Sequence, residues 1–499
     1  MSISHPEETK RSTQADEFVR AVAPMSLSYT LKYSTSCLVM LSFIGCAGLT
    51  MQKPEADTVV VAELDIPSLW KSAGEGNNGQ IASGWLKSLK DSEMSAMVNE
   101  ALEHNQNLKV AAARLRAAKE STIVGRAQRL PSVDFSSSGS RNRAGNGPDL
   151  SPDRSTNYGL SLNASWEIDL WGRLRNLDLA SYDDYMAASA DFRGARLSLA
   201  ANTAKAWCNL ITARQQATLA LETRDSYVRN FRITERNFKA GDTSASALDV
   251  QFGRNNIASA ERELIDRQLS RDEAKRSLEV LLGRYPAASL EGRDQLPDLP
   301  KEVPVGLPSE LLLRRPDLVA AAADLRASAN RADAARKDLL PSIRLSGRGS
   351  SSSAELGKML IDPEYMVWNV ASSLAQTVYS GGSPTAQARQ ALARNEIAIR
   401  TFAEIALQAF REVESALAIE RSLAKQEEFL ATELQQANLA EVQASRDYSR
   451  GIVGILEVLE SQRRAVNARR SMISLRNQRL QNRIDLHLAL GGDFATPAP

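Results

Sequence analysis

Several kinds of residue are scarce in this 499-residue chain, and each scarcity removes a class of function. There are three cysteines, Cys37, Cys46 and Cys208, with no paired spacing. That excludes a disulfide framework and a Cys-x-x-Cys metal motif. The three histidines, His5, His104 and His487, are scattered, so no His-based metal site is expected. With 61 basic against 60 acidic residues, the net charge is +1. Nucleic-acid binders carry a basic excess, and none is present. Aromatics make up 5% of the chain, and glycine and proline contribute 27 and 18 residues. Past residue 50 no run of about 18 apolar residues occurs, so no transmembrane helix is expected there. No phosphate loop, nucleophile elbow or histidine cluster is found, so the expectation is no catalytic residue, no metal and no cofactor.

What is abundant is alanine, leucine, arginine and glutamine at helical spacing. The stretch from Tyr158 to Arg175 is the exception. Tyr158, Leu160, Leu162, Ala164, Trp166 and Ile168 alternate with mostly small or polar residues, the period of a strand. Trp171-Gly172-Arg173 breaks the alternation. A proline-free helical pattern then runs to Phe238-Lys-Ala-Gly241, a rod of roughly 100 Å at about 1.5 Å per residue. Within it Leu199, Thr203, Ala206, Leu210, Ala213, Ala217 and Ala220 step by fours and threes, a seam of mainly small residues. After the turn at Gly241 a second helix runs from about Ala247 to Leu282.

The pattern occurs twice. Leu130-Pro131-Ser132 returns as Leu340-Pro341-Ser342, and Phe238-Lys-Ala-Gly241 as Tyr448-Ser-Arg-Gly451, each 210 residues on (341−131, 451−241). Beyond the turn, Leu282-Gly283 returns as Leu490-Gly491, 208 on, so the first turn holds two extra residues. Each half reads as helix, strand, loop, strand, long helix, turn, long helix. A single helix is expected over Glu93–Ala127, strands over 132–138 and 158–168, and loops over 141–157 and 351–365. In the second half, strands are expected over 342–347 and Val367–Tyr379. The domains follow: 1–45 an extension and signal peptide, with Met25 the expected start; 46–283 the first repeat; 284–310 a proline-rich linker; 311–492 the second repeat; 493–499 a tail. The apolar run before Gly45-Cys46 has the length of a signal peptide's hydrophobic region. Trp70 and Trp85 are expected anchors of the irregular segment 47–90. Pro316 and Asp317 suit a helix first turn, and Cys208 suits a small buried core position.

Gly306-Leu-Pro-Ser-Glu-Leu-Leu-Leu-Arg-Arg-Pro-Asp317, Ser165-Trp-Glu-Ile-Asp-Leu-Trp-Gly-Arg173 and the two Gly-ended turns resemble the outer-membrane efflux proteins. These are the TolC-like outer membrane factors, in particular the NodT-type lipoprotein branch that serves resistance-nodulation-division (RND) efflux systems. The resemblance implies a mainly α fold with a small β-barrel part. Three chains would form a homotrimer, each giving four membrane strands and long periplasmic helices. It implies an exit duct for small molecules such as drugs, fed by an inner-membrane RND-type pump through a periplasmic membrane-fusion adaptor. Cys46 stands where such lipoproteins are acylated. Phe238, Gly241, Leu248, Tyr448, Gly451, Ile452, Val453 and Ile455 stand at the tips that would meet the adaptor. Arg446, Asp447 and Arg450 stand where the periplasmic gate would close. Trp166, Trp171, Trp368 and Tyr379 are candidate aromatics at the edges of outer-membrane lipid. Two other outcomes are kept open: the exit duct of a type I protein secretion system, and a soluble coiled-coil scaffold.

Overall fold

The computed structural model describes residues 66–67, 69–72, 84–144, 153–241, 245–299, 305–306 and 308–492. The signal segment, Cys46 and the tail 493–499 lie outside the described residues. The elements in order are α1 (Trp85–Ser88), α2 (Ser92–His104), α3 (Gln106–Ala127), β1 (Ser132–Ala144), β2 (Asp153–Ile168), α4 (Arg173–Lys239) and α5 (Ala247–Leu281). After the linker come α6 (Leu311–Arg314), α7 (Pro316–Lys337), β3 (Ser342–Ser353), α8 (Leu356–Ile361), β4 (Met366–Ala375), α9 (Ser383–Ser449) and α10 (Ile455–Ala489). The two long helices have 67 residues each, and the two return helices 35 each. The difference between the halves sits between these helices, at residues 240–246 against 450–454.

The expected helix over Glu93–Ala127 is broken in two. Asn105, at φ −61 and ψ 127, leaves the helical region. Its side chain accepts from Leu108 N at 3.1 Å and donates to the Leu281 carbonyl at 2.9 Å. The side chain caps the start of α3, which offsets the lost helical bonds. Arg315, one repeat later, makes the same break at φ −68 and ψ 125. It holds Asp317 through 3.0 and 2.7 Å bonds and Glu412 at 2.8 Å, and it donates to the Ala489 carbonyl. Pro316 stands in the first turn of α7.

Helix α4 is the spine: α2, α3, α5, α7 and α10 all pack on it, while α9 packs on α7 and α10. Its seam is buried at Leu199, Thr203, Leu210, Ala217 and Ala220. One core forms around Trp85, Met94, Trp207, Leu278 and Ile484, another around Trp70, Leu318, Phe402 and Leu486. Trp70 and Trp85 are buried as anchors. Trp85 stacks on His487 at 5.6 Å, and Trp70 donates to the Val305 carbonyl at 3.3 Å. Cys208 is fully buried; burial, reinforced by Asp91, pushes its thiol up to about 12.

The four strands form one antiparallel sheet in the order β1-β2-β3-β4. All four strands differ from expectation, β2 starting at Asp153 rather than at 158. β1 and β3 run longer, to Ala144 and Ser353, because β2, which lies between them, extends the ladder past the apolar alternation. Part of each expected loop is therefore strand, and the second connection contains the short helix α8. β4 ends at Ala375, so Tyr379 lies outside the strand, 87% exposed. There β3 starts at Ser342, which pairs with Ala375, and no partner continues beyond it.

Candidate functional site

Directly opposed residues on neighbouring strands share a face. Phe135 opposes Leu162, Leu162 opposes Gly349, and Gly349 opposes Trp368. Tracing every such row gives one mainly apolar face with Val133, Phe135, Leu160, Leu162, Trp166, Ile168, Ile343, Leu345, Trp368, Val370 and Leu374, interrupted by Ser137, Ser351, Ser353 and Ser372. Its large side chains are not covered: Val133, Phe135, Trp368, Val370 and Leu374 are exposed by 61% or more. The other face holds the row Asp134, Asn163, Arg348 and Asn369. Beside it lie Ser136 and Ser161, whose hydroxyls are 2.7 Å apart, and the pair Glu167 and Arg344, at 3.8 Å. An apolar face backed by a hydrogen-bonding face is how a membrane β-barrel wall is built, with lipid outside and water inside. From Tyr158 to Ile168 the apolar face spans about 33 Å of strand at 3.3 Å per residue, or about 25 Å of height at a tilt near 40°.

All the long helices leave the sheet at one end, and the hairpin connections lie at the other. The corner is held by Trp171-Gly172-Arg173. Gly172 has φ 74, a conformation that a Cβ would strain. The Asp169 carboxylate accepts from Leu174 N and Arg175 N at 3.0 and 2.7 Å, satisfying free donors at the start of α4. Trp171 donates to the Pro341 carbonyl at 2.7 Å, joining the two repeats. Arg173 reaches Glu167 at 2.6 Å and Asp338 at 3.5 Å. Trp166 donates to the Arg129 carbonyl at 2.9 Å; one repeat on, Gln376 donates to the Leu339 carbonyl at 3.1 Å. These corner locks escaped sequence reasoning. Their signal was the repeat step itself, which carries Trp166 onto Gln376 and Arg129 onto Leu339.

Of the candidate aromatics, Trp166 and Trp171 stand at the helix end of the sheet. Trp368 is the repeat partner of Tyr158, both toward the hairpin end. At the far end of the helices, Gly241 and Gly451 take φ 74 and 71 and end α4 and α9. Phe238, Leu248 and Ile452 are 43%, 59% and 66% exposed, whereas Ile455 is buried. Tyr448 stands 3.2 Å from Thr234 on α4, hydroxyl to hydroxyl. Arg446 and Arg450 are exposed, and Asp447 accepts from Gln443 of its own helix at 3.0 and 2.8 Å.

Long antiparallel helices hung from one end of a two-faced sheet define a membrane channel protein. The model of the outer membrane efflux protein family matches residues 97–284 and again 307–492, and the chain belongs to that family. The outer membrane protein OprJ of Pseudomonas aeruginosa is 30% identical over 476 residues, covering 93% of this chain and 96% of OprJ. The probable outer membrane lipoprotein SilC of Salmonella typhimurium is 28% identical over 455 residues, covering 90% and 96%. The solved open-state MtrE outer membrane channel of Neisseria gonorrhoeae is 26% identical with a TM-score of 0.74, covering 90% of this chain and 99% of MtrE. The chain is an efflux channel of the outer membrane.

Proposed function

We propose that three copies close one twelve-stranded barrel, four strands from each, continued by a helical tunnel. Both edges of the sheet, β1 and β4, carry ladder groups that lipid cannot satisfy, and only closure removes such edges. The observation that carries this reading is the repeat step applied to the internal seam. Where α4 meets α7, Ala187, Ala190, Ala320 and Ala323 are buried with Met186 and Val319 beside them. Moving α4 forward 210 residues lands on α9, and moving α7 back 210 lands on α3. Ala187 then becomes Ile397 and Ala320 becomes Val110, which are 64% and 50% exposed. Met186 becomes Glu396 and Val319 becomes Lys109, both exposed and of opposite charge. A second copy placed by the internal symmetry would cover the apolar pair and bring the charges together.

The test is charge reversal. Lys109→Glu and Glu396→Lys should each lower the temperature at which the oligomer dissociates on a gel, and the double reversal should restore it. A double variant as weak as either single one would overturn this seam.

The duct would take small molecules from an inner-membrane RND-type pump through a periplasmic membrane-fusion adaptor. The adaptor would dock at the tips, on Phe238, Gly241, Leu248, Tyr448, Gly451, Ile452 and Ile455. Arg446, Asp447 and Arg450 would form part of the gate. Alanine at Arg446 and Asp447 should then raise single-channel conductance in planar bilayers, and an unchanged conductance would refute that role. Cys46 would carry the lipid anchor. Palmitate labelling lost in Cys46→Ala would support this, and labelling retained would refute it.

A further inference from the structure

At the hairpin end of the first repeat, the lipid-side face changes character. In β1 the residues following Val133, Phe135, Ser137 and Gly139 on that face are Arg141 and Arg143. In β2 the residues beyond Tyr158 on the same face are Thr156 and Arg154. Arg143 and Arg154 are directly opposed partners, and Arg141 stands two residues along on the same side. All three arginines are exposed.

Two like charges directly opposed across a ladder destabilise the pair, so their placement calls for an anion between them. Asp153 pairs with Ala144, one ladder step beyond the Arg143–Arg154 pair. The second repeat has no counterpart: one step on, the three positions are Ser351, Ser353 and Glu364. The repeat step also places Trp368 of a neighbouring copy opposite Arg143, because it carries the Tyr158–Ser353 pair onto Trp368 and Arg143. Each chain thus presents three guanidinium groups just above an aromatic rim and an apolar band. That is the depth at which lipid headgroups begin.

We propose that Arg141, Arg143 and Arg154 form a site for the phosphate groups of a phosphorylated glycolipid of the outer leaflet. Planar, forked guanidinium groups bind phosphate oxygens in pairs, and one phosphate lodged between Arg143 and Arg154 would neutralise their repulsion. The inference rests on the membrane reading of the sheet given above.

The experiment uses the full-length protein purified from outer membranes in detergent, with diphosphoryl lipid A added in micelles as the probe. Binding is followed by the rise in the oligomer's dissociation temperature and by the phosphorus retained on the protein. Wild type should be stabilised by the diphosphoryl lipid and not by the same lipid stripped of phosphate. The triple variant R141Q/R143Q/R154Q should bind on the order of tenfold to a hundredfold more weakly, and R141K/R143K/R154K should keep most of the binding. Equal stabilisation by the phosphate-free lipid, wild-type binding by the glutamine variant, or competition by inorganic phosphate at the lipid's own concentration would overturn the proposal. Should the glutamine variant fail to assemble, the two lipids compared on wild type still decide. The membrane reading fails separately, if the wild-type protein is absent from the outer-membrane fraction.

Discussion

Glu279 offers a quantitative test of how the connection between the repeats is held. It lies near the end of α5 with its side chain turned under the linker, 1% exposed. Its carboxylate accepts from the backbone N–H groups of Ala288, Ser289 and Leu290 at 2.7, 2.7 and 3.2 Å, and from the Ser289 hydroxyl at 3.0 Å. Burial works to raise its carboxyl, but those bonds outweigh burial and hold it below the ordinary value. Ala288 sits at φ 57, a left-handed conformation that costs a residue with a Cβ about 1–2 kcal/mol. In Glu279→Ala, two or more enclosed donors lose their acceptor at about 1–3 kcal/mol each. The variant is relieved of the carboxylate's own desolvation, so a net loss of about 3 kcal/mol is expected. Glu279→Gln should lose less, because its carbonyl can still accept from Ser289 and Leu290 and only the Ala288 N–H is left facing an amide donor. Denaturant midpoints of wild type and both variants in one detergent measure this. The contribution is present above the unfolded carboxyl value and disappears as pH falls through the lower folded value, so the gap between wild type and Glu279→Ala should close in acid. A loss below about 1 kcal/mol, or a gap that widens in acid, would refute the account.

Ala288→Gly should stabilise by about 1 kcal/mol by relieving the same backbone, read from the same midpoints. His487 is held at about 4 by burial and by Arg483. Between that value and about 6.5 the unfolded chain binds the extra proton, so stability should fall as pH drops through this window, by up to about 3 kcal/mol. His487→Phe should flatten that slope, and an unchanged slope would refute the assignment. Gly283→Ala should destabilise by 2 kcal/mol or more (~2–3), because a Cβ there would lie 2.8 Å from the His104 carbonyl at φ 73; a wild-type midpoint would sink it. Cys208 should resist maleimide in the folded protein and react on unfolding, and modification of the native protein would contradict its burial.

The elements that sequence made legible were those whose pattern is local. A period of two over Tyr158–Ile168 and long helical periods to Gly241 and Gly451 survive any packing, and the matched landmarks located both turns and the two extra residues between α4 and α5. What was not legible depends on a partner distant in the chain. Asn105 ends a helix because the Leu281 carbonyl is there to receive its amide. β1 extends to Ala144 through Ser137–Arg143, which carry no apolar alternation, because β2 supplies the ladder. Tyr379 read as strand because Val378 and Tyr379 favour one, yet β3 has nothing to pair with them. The wet row of Asp134, Asn163, Arg348 and Asn369 could have been found by parity once the strand ends were known.

The two halves share helix lengths but differ in how their seams are made. The internal seam is alanine against alanine, flanked by Met186 and Val319. Its partners belong to one chain and meet at a high effective concentration, so close packing of small residues is enough. The corresponding outer positions carry Val110 and Ile397 with Lys109 and Glu396. Between separate copies the right partner has to be found and its register set, and charges supply that selectivity better than they supply affinity. The corners follow the same division. Within the chain, Trp171 and Arg173 lock one repeat to the next; in the proposed ring, Gly381 and Ser383 would stand in their places between copies and offer no such lock. On this reading the bare corners between copies are the compliant joints of the ring, and Gly381→Trp with Ser383→Arg should raise the oligomer's dissociation temperature. A double substitution that assembles normally and dissociates at the wild-type temperature would show that corner locking adds nothing to the ring's strength.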